Sequence, residues 1–541
     1  MIFEPHQGLC NGGVLFLLPA LLSVGLLKTK EVYKIPDNHY YGLESVVLTL
    51  AFMALARIKN PEQLKQCKPG EIGRLIGLDR TPEVSCLREK IKLLSSQKQA
   101  SELNRRLMDH WYSDVAEDQL FMYIDGHVRI YFGDKANLPV KYVSRQKLCL
   151  NATTEYWVND AKGQPVMMVI GELTEKLQQV IEDRIIPQLQ QTVLLPVSQP
   201  EVSEEQACPP ACTLVFDREG YQPAFFQRLW VKYRIAVITY RKNVKDNWAQ
   251  ELFKPIDVMV LEQPVTMRLC EQKVTLDGIA FREIRRLTDS GHQTSIITTH
   301  PLISTTEVAG RMFGRWSQEN FFRYMIMDYD FDKMIEFGTQ TIDENKEVVN
   351  PQYRQLSHRL KKQKEKTNRL KSDFLTLTEQ CIDAELDNLS KLEQRQAILA
   401  EKIEAHQLQE QQIEAVRNKV KARITLKDMP DASRYNQLKP ESKMLMNIIK
   451  MICYRAETSV ANILKEHLID HDDKRMLVKQ IIQNNADISP DINNNTLTIT
   501  LHSLSAPRFN KAAEQLANLL NETDTVFPNT NLRMFFKAAA S

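Results

Sequence analysis

An excess of charge of one sign, a long apolar run and a cysteine framework are all missing from this sequence. Seventy Lys and Arg face 68 Asp and Glu across 541 residues, so net charge supports no claim of nucleic-acid binding; such a role has to rest on local patches. The nine cysteines (10, 67, 86, 149, 208, 212, 270, 381 and 453) are odd in number and scattered. That pattern excludes a secreted disulfide scaffold and predicts reduced thiols in a cytosolic protein. Cys208 and Cys212 form the one close pair, but a zinc site needs two further ligands nearby and His is sparse, so the pair reads as a plain loop with metal binding as the alternative. The most apolar run, Val14 to Leu27, spans 14 residues and contains Pro19, whereas a membrane helix wants about 20 residues. No Lys or Arg precedes it, so a secretory signal also fits poorly, and a buried helix is expected. Also absent are a Gly-x-x-x-x-Gly-Lys phosphate loop, a His-Glu-x-x-His motif and a Gly-x-Ser-x-Gly elbow, which leaves ATP-driven and serine-type mechanisms without support.

What is present starts with Phe121 to Phe132, where apolar residues fill nearly every position and Asp125 interrupts them. Such a run predicts a strand buried on both faces, and a carboxylate there is costly unless it serves a purpose. A second apolar strand, Thr213 to Phe216, ends in Asp217; after a third, Thr294 to Thr299, a helical stretch from Arg315 to Arg323 carries Glu319. Two strand-borne aspartates and a helix-borne glutamate suit a cage for hard divalent cations, which take carboxylate oxygens. His127 lies two residues past Asp125 on the same strand face, where it either touches the metal shell or packs as a hydrogen-bonded core histidine. Glu219, two residues past Asp217, is either an alternative ligand or a solvent-facing residue beyond the strand end. Asp328, Asp330 and Asp332 read as an exposed, capped segment.

Hydrophobic periodicity divides the chain into a helical N-terminal domain (1–117), an α/β core (118–240 and 290–339), a β insertion (241–289), a long helical arm (340–430) and a small α+β C-terminal domain (431–541). In the first, a brief helix ends near Gly77, Thr81 is placed to cap the next with Pro82 in its first turn, and Leu87, Ile91 and Leu94 give that helix a buried face. This is a helix-turn-helix shape, with Arg80, Arg88, Lys90 and Lys92 on or beside the second helix; it reads either as a DNA reader or as an ordinary helical corner. The core begins with Asp125's strand, then Lys147 to Val158 and Pro165 to Gly171 around a turn at 159–163, and a helix from Thr174 to Gln191. A loop, Pro196 to Pro210, precedes the Asp217 strand. Between Tyr240 and Thr294, three β-rich segments help to separate Asp217 from Glu319 by 101 residues, too many for one direct connection. From Asn350 to Lys427, Leu and Ile at spacings of three and four predict one long helix or a helical hairpin with a narrow apolar stripe. Its first turns are strongly basic, which suits a solvated face or a DNA-contacting one.

The order of elements resembles the DDE transposases of bacterial insertion sequences, in particular the large group with a β insertion between the second Asp and the Glu. Tyr123 to Val128 with Tyr131 and Gly133 is similar to that family's first catalytic strand, Val215 to Gly220 to the second, and Arg315 to Arg323 to the glutamate helix. Gly70 to Leu94 and Tyr454 to Glu457 also resemble flanking segments of such proteins. In the family's signature of Tyr, two residues, Arg, three residues, Glu, six residues, Lys, this chain matches at Arg315 and Glu319, with Met312 in place of Tyr and Ile326 in place of Lys. Arg323, one helical turn past Glu319, is the expected stand-in for the missing Lys.

The resemblance implies a multidomain α/β protein with a ribonuclease-H-like core, in which the first and fourth strands are neighbours and present Asp125 and Asp217 to each other. It further implies a cytoplasmic, nucleoid-associated bacterial transposase with Asp125, Asp217 and Glu319 holding two Mg²⁺ ions, replaceable by Mn²⁺. Its partners are double-stranded DNA, both terminal inverted repeats and target, contacted through Arg88, Lys92, Arg315 and Arg323, and a second copy of the chain on paired ends; no membrane is involved. The alternatives are a nuclease of the same fold that cuts without joining, and a degenerate, non-catalytic DNA-binding or coiled-coil protein.

Overall fold

The computed structural model of the chain describes residues 1–113, 120–195, 209–261, 263–331, 338–382, 386–430, 434–465 and 473–539, without the side chains of 316–318, 382, 386–389, 465 and 473. They pack as two compact units, one of residues 1–131, 141–338 and 438–541, the other of 132–140 and 339–437.

The first unit is built on a ten-stranded sheet. Its strands are β1 (Phe121–Ile130), β2 (Val140–Val143), β3 (Leu148–Asp160), β4 (Pro165–Gly171), β5 (Cys212–Phe216), β6 (Ile235–Tyr240), β7 (Lys254–Val260), β8 (Gln263–Leu276), β9 (Ile279–Leu287) and β10 (Gln293–Thr298). They lie in the order β2-β3-β1-β5-β6-β10-β9-β8-β7, with β4 also paired to β3. β1, β5 and β6 run parallel, while β3 and β4 are antiparallel to their neighbours.

Both faces of β1 are apolar because both are covered. Met122 and Ile124 pack with Leu214, Phe216 and the helix Pro223–Tyr233; Phe121 and Tyr123 pack with Val215, Ile238 and the helix α1 (Thr305–Phe313). The expected helix from Thr174 runs without a break from Leu177 to Leu189, as Leu177–Val180, a π-helical turn Ile181–Ile185 and Ile186–Leu189. Residues 196–208 of the expected Pro-rich loop, with Cys208, lie outside the described residues; Cys212 is buried on β5, and burial pushes its thiol up to about 12.

The β insertion does not form a sheet of its own. β10 pairs antiparallel with β6 and carries β9, β8 and β7 outward, so the inserted strands extend the central sheet. α1 lies on β7, and Gly310 is what permits it, since a Cβ there would come within 2.5 Å of the Met259 carbonyl oxygen. The inserted strands also fix the loop entering α1. Arg282 on β9 donates to the carbonyls of His300 and Ile303, both at 2.9 Å, and pairs with Glu271 at 2.7 Å.

The N-terminal and C-terminal segments share one core rather than forming separate domains. The strand His6–Leu9 pairs with Ala486–Asp491 in a four-stranded sheet completed by Thr496–Leu501 and Arg533–Ala538. The apolar run near the N-terminus is helical in pieces, Gly12–Leu17 and Leu18–Ser23, and Val14 to Leu18 are fully buried, so it serves that core. The helix Leu43–Leu55 packs on α5 (Glu441–Lys465). No helix among the described residues is long and apolar enough to cross a membrane.

The second unit is a helical hairpin, so the stripe read from the sequence finds its partner in the same chain. α3 (Pro351–Ile382) and α4 (Leu386–Asn418) pack together, and a short ladder of Glu347–Val349 with Arg423–Thr425 closes the base. The contact is partly polar: Gln363 Nε2 lies 2.7 Å from His406 Nδ1 and 2.8 Å from Gln409 Oε1, and Gln396 donates to Thr378 at 2.8 Å. With the stripe covered by its own chain, it no longer calls for a second copy.

Candidate active site

Strand register brings the two aspartates together. Ile124 pairs with Phe216 in the parallel ladder of β1 and β5, so Asp125 and Asp217, each the next residue, stand level on adjacent strands, Asp125 in the middle of β1 and Asp217 just past the carboxyl end of β5. By alternation both point to the face covered by α1, as Tyr123 and Val215 do. Arg315 stands between α1 and α2 (Trp316–Tyr329) and reaches both: its guanidinium is 4.0 Å from Asp125 Oδ2 and 3.6 Å from Asp217 Oδ1. One oxygen of each carboxylate accepts a backbone N–H, Gly126 to Asp125 at 2.9 Å and Arg218 to Asp217 at 2.7 Å. Burial pushes the Asp125 carboxyl up to about 6; Arg315 and the Gly126 N–H oppose this, and the charges of Asp217 and Glu219 add to it.

Glu319 sits one turn past Arg315 on α2, on an exposed stripe with Arg323 and Met327. The opposite stripe, Phe321, Met325 and Tyr329, is buried and holds the helix in place; Phe321 lies 5.5 Å from Trp157 and 5.1 Å from Tyr454, ring to ring. The structure therefore unites Asp125, Asp217 and Arg315 but leaves the Glu319 side chain exposed, and no cluster of three or more His, Cys, Asp or Glu close enough to hold a metal occurs among the described residues. Met312 is buried in the core under α1, and Ile326 packs against the core shared with the C-terminal segment, so neither position offers a phosphate contact.

The neighbouring candidates resolve by their packing. His127 is a core histidine, its ring 4.7 Å from Phe331 and 5.6 Å from Phe322, with Arg145 at 3.2 Å from Nε2. Glu219 neither joins the aspartates on their face nor points freely outward: its Oε1 accepts from the Tyr156 hydroxyl at 3.4 Å, and Oε2 lies where a side chain at Gly126 would point, on the sheet's other face. Asp328 pairs with Lys479 at 2.7 Å and Arg57 at 3.4 Å, Asp330 ends α2 in a left-handed conformation, and Asp332 lies outside the described residues.

The helix-turn-helix segment keeps its helices, Pro69–Arg74 and Val84–Ser96, but not the expected cap. Glu83 stands at the N-cap, and Thr81 is buried with its N–H on the Pro69 carbonyl at 3.1 Å. The turn is pressed onto the first helix at Gly73, where a Cβ would meet the Arg80 backbone at 2.6 Å, and this draws Thr81 inward. Arg88 is ion-paired with Glu62, Lys92 is exposed and Lys90 is buried.

The sequence gives no sign of one cleft, and of the Tyr454 to Glu457 segment only a resemblance and not its role. A cleft of about 790 Å³ is lined by Tyr123, two residues before Asp125, with Lys162, Arg311, Asn462 and Arg475 among its walls. Tyr454 to Glu457 turns out to be a packing device: Arg455 lies 3.8 Å from the Trp111 ring and donates to the Pro165 carbonyl at 2.8 Å, while Glu457 pairs with Arg57 at 2.7 Å and accepts from the Tyr324 hydroxyl at 2.7 Å.

A mixed α/β protein with two level carboxylates on adjacent parallel strands, and a guanidinium between them, is suited to handling phosphate esters. A family model described as "Transposase protein" matches residues 1–540, and the chain belongs to that family. No curated protein and no solved structure matches it.

Proposed function

We propose that the chain is a metal-dependent DDE transposase that cuts insertion-sequence ends and joins them to target DNA. The observation that carries this reading is the strand register that sets Asp125 level with Asp217, with Arg315 between them and Glu319 one turn along the same helix. Strand order β4-β3-β1-β5-β6, three antiparallel then two parallel to the first, supports a ribonuclease-H-like core. The donor set suits a hard cation. Among the described residues the second oxygen of each aspartate accepts no hydrogen bond, and Arg315, 4.0 Å from Asp125 Oδ2 and 3.6 Å from Asp217 Oδ1, is too distant to hydrogen-bond either. Mg²⁺, or Mn²⁺ in its place, held by Asp125, Asp217 and Glu319, would supply activation of the attacking oxygen and charge stabilisation of the leaving one. Arg315 neutralises the acid pair and orients the scissile phosphate. Water adds to phosphorus and gives up a proton as the P–O3′ bond breaks and the 3′ oxygen takes one; in joining, that 3′-hydroxyl loses its proton and attacks a target phosphodiester, forming a new P–O3′ bond as the target's own P–O3′ bond breaks and its 3′ oxygen takes up the proton. Arg88 and Lys92 contact the terminal repeats, and a homodimer pairs the two ends.

The test is incubation of the full chain with duplex DNA carrying the sequences that flank its gene, in Mg²⁺ and separately in Mn²⁺. Nicks leaving 3′-hydroxyls at the element ends, abolished by chelation, are expected; binding without cutting in either metal overturns the catalytic reading. Arg323, exposed one turn past Glu319, takes the phosphate contact that Ile326 lacks. Arg323→Ala is expected to slow end cleavage by about tenfold or more and Arg323→Lys by less; equal rates for both variants and the unaltered chain would make Arg323 an ordinary surface residue.

A further inference from the structure

The helical hairpin is charge-polarised along its length. Its basal half, residues 351–371 and 411–427, carries thirteen Lys and Arg against two Glu; its distal half, 372–410, carries three against nine acids. Mixed-sign salt bridges would even out such a distribution if its purpose were solubility. Instead, apart from Arg354, which donates to the Val140 carbonyl at 2.7 Å, the basal charges on α3 are almost without ion-pair partners among the described residues. Leu360, Gln363 and Thr367 face α4 and are buried, which turns Arg359, Lys361, Lys362, Lys364, Lys366, Arg369 and Lys371 outward, and all seven are exposed. Among the described residues these seven make a single ion pair, a long one of 4.0 Å between Lys361 and Glu365.

Spacing makes the set a rail. Arg359, Lys362, Lys366 and Arg369 recur at three and four residues, hence along one stripe, and Arg359 to Lys371 spans about 18 Å at the helical rise. A duplex of that length carries about 11 phosphate charges. Packing against α4 holds the rail straight, so little ordering is required on binding.

We propose that the basal half of this arm is a sequence-independent binding surface for the phosphate backbone of duplex DNA, and that the acidic distal half, repelled by phosphate, confines the duplex to the base. The proposal rests on the DNA-processing reading and adds a surface separate from the carboxylate site.

The experiment uses the full chain and a 30-base-pair duplex of arbitrary sequence, with affinity measured across a salt series. Lys362→Gln, Lys366→Gln and Arg369→Gln combined are expected to weaken binding at least about tenfold at 0.1 M salt and to flatten the salt slope by about 2 to 3, one counterion-release increment per lost contact. Lys391→Gln with Arg395→Gln, in the distal half, is expected to change neither. Unchanged helical circular dichroism establishes that the variants fold. An unaltered affinity and slope in the triple variant, while the natural chain binds DNA, overturns this proposal and leaves the transposase reading standing. Failure of the natural chain to bind any duplex overturns both. A triple variant that loses self-association but not DNA affinity assigns the rail to contacts between copies and overturns the proposal as well.

Discussion

Asp125→Asn, Asp217→Asn and Glu319→Gln are each expected to reduce strand cleavage on end DNA by about 10²-fold or more, with DNA affinity nearly unchanged because the basic surfaces lie in other segments. The Asp125 variant carries a second, opposite effect. Burial raises its carboxyl to about 6 in the folded chain, against about 4 when unfolded. Between those values the folded chain keeps a proton that the unfolded chain has released, so stability falls as pH rises from about 4 to about 6 and the full cost is present at pH 7. Asn removes that cost. The variant should therefore be more stable than the natural chain at pH 7, by about 1 to 2 kcal/mol after allowing for partial exposure, with the gain gone below pH 4. Unfolding curves at pH 4 and pH 7 measure it, and a destabilised Asp125→Asn at pH 7 would show that the carboxylate serves the fold.

The second large effect lies away from the site. Glu457→Gln is expected to destabilise the chain by about 3 kcal/mol or more, since it strips the buried Arg57 of its closest counter-ion and leaves Asp328 at 3.4 Å as the remaining one. Arg57 and Glu457 are 8% and 1% exposed, so water cannot substitute. The pair ties the end of the helix Leu43–Leu55 to α5, and the Tyr324 hydroxyl, bonded to both partners, ties in α2. Arg57→Met alone should cost about as much, and the double variant should cost less than the sum of the two. Additive losses in chemical denaturation would mean that the two side chains act independently.

The parts of this architecture legible in the sequence were those whose burial leaves a local pattern, a continuous apolar run or a helical spacing. β1 and β5 stood out because strands covered on both faces are apolar at every position, which makes Asp125 and Asp217 conspicuous. Glu319's helix was legible from its position after the last core strand. Pairing was harder: β7, β8 and β9 show their alternation locally, but nothing local tells that β10 pairs with β6 and so joins the inserted strands to the main sheet. α1 was missed because its nine residues are short and its Gly310 reads as a breaker, whereas that glycine is there for the close approach to β7. The shared N- and C-terminal core depends on His6–Leu9 meeting Ala486–Asp491, a pairing across the length of the chain. Thr81 failed as a cap because the tight contact at Gly73 buries it, and tertiary contact overrides a local preference. The arm left one helix or a hairpin open, as no Gly or Pro marks the reversal between α3 and α4.

Manganese binding, read by electron paramagnetic resonance on the full chain at pH 7.5, tests the central claim most directly. Tight Mn²⁺ binding is predicted in the natural chain, lost in Asp125→Asn and Asp217→Asn, weakened in Glu319→Gln and retained in Glu219→Gln, whose carboxylate leans on Tyr156 on the other face of the sheet. Binding that survives replacement of both aspartates would contradict the account.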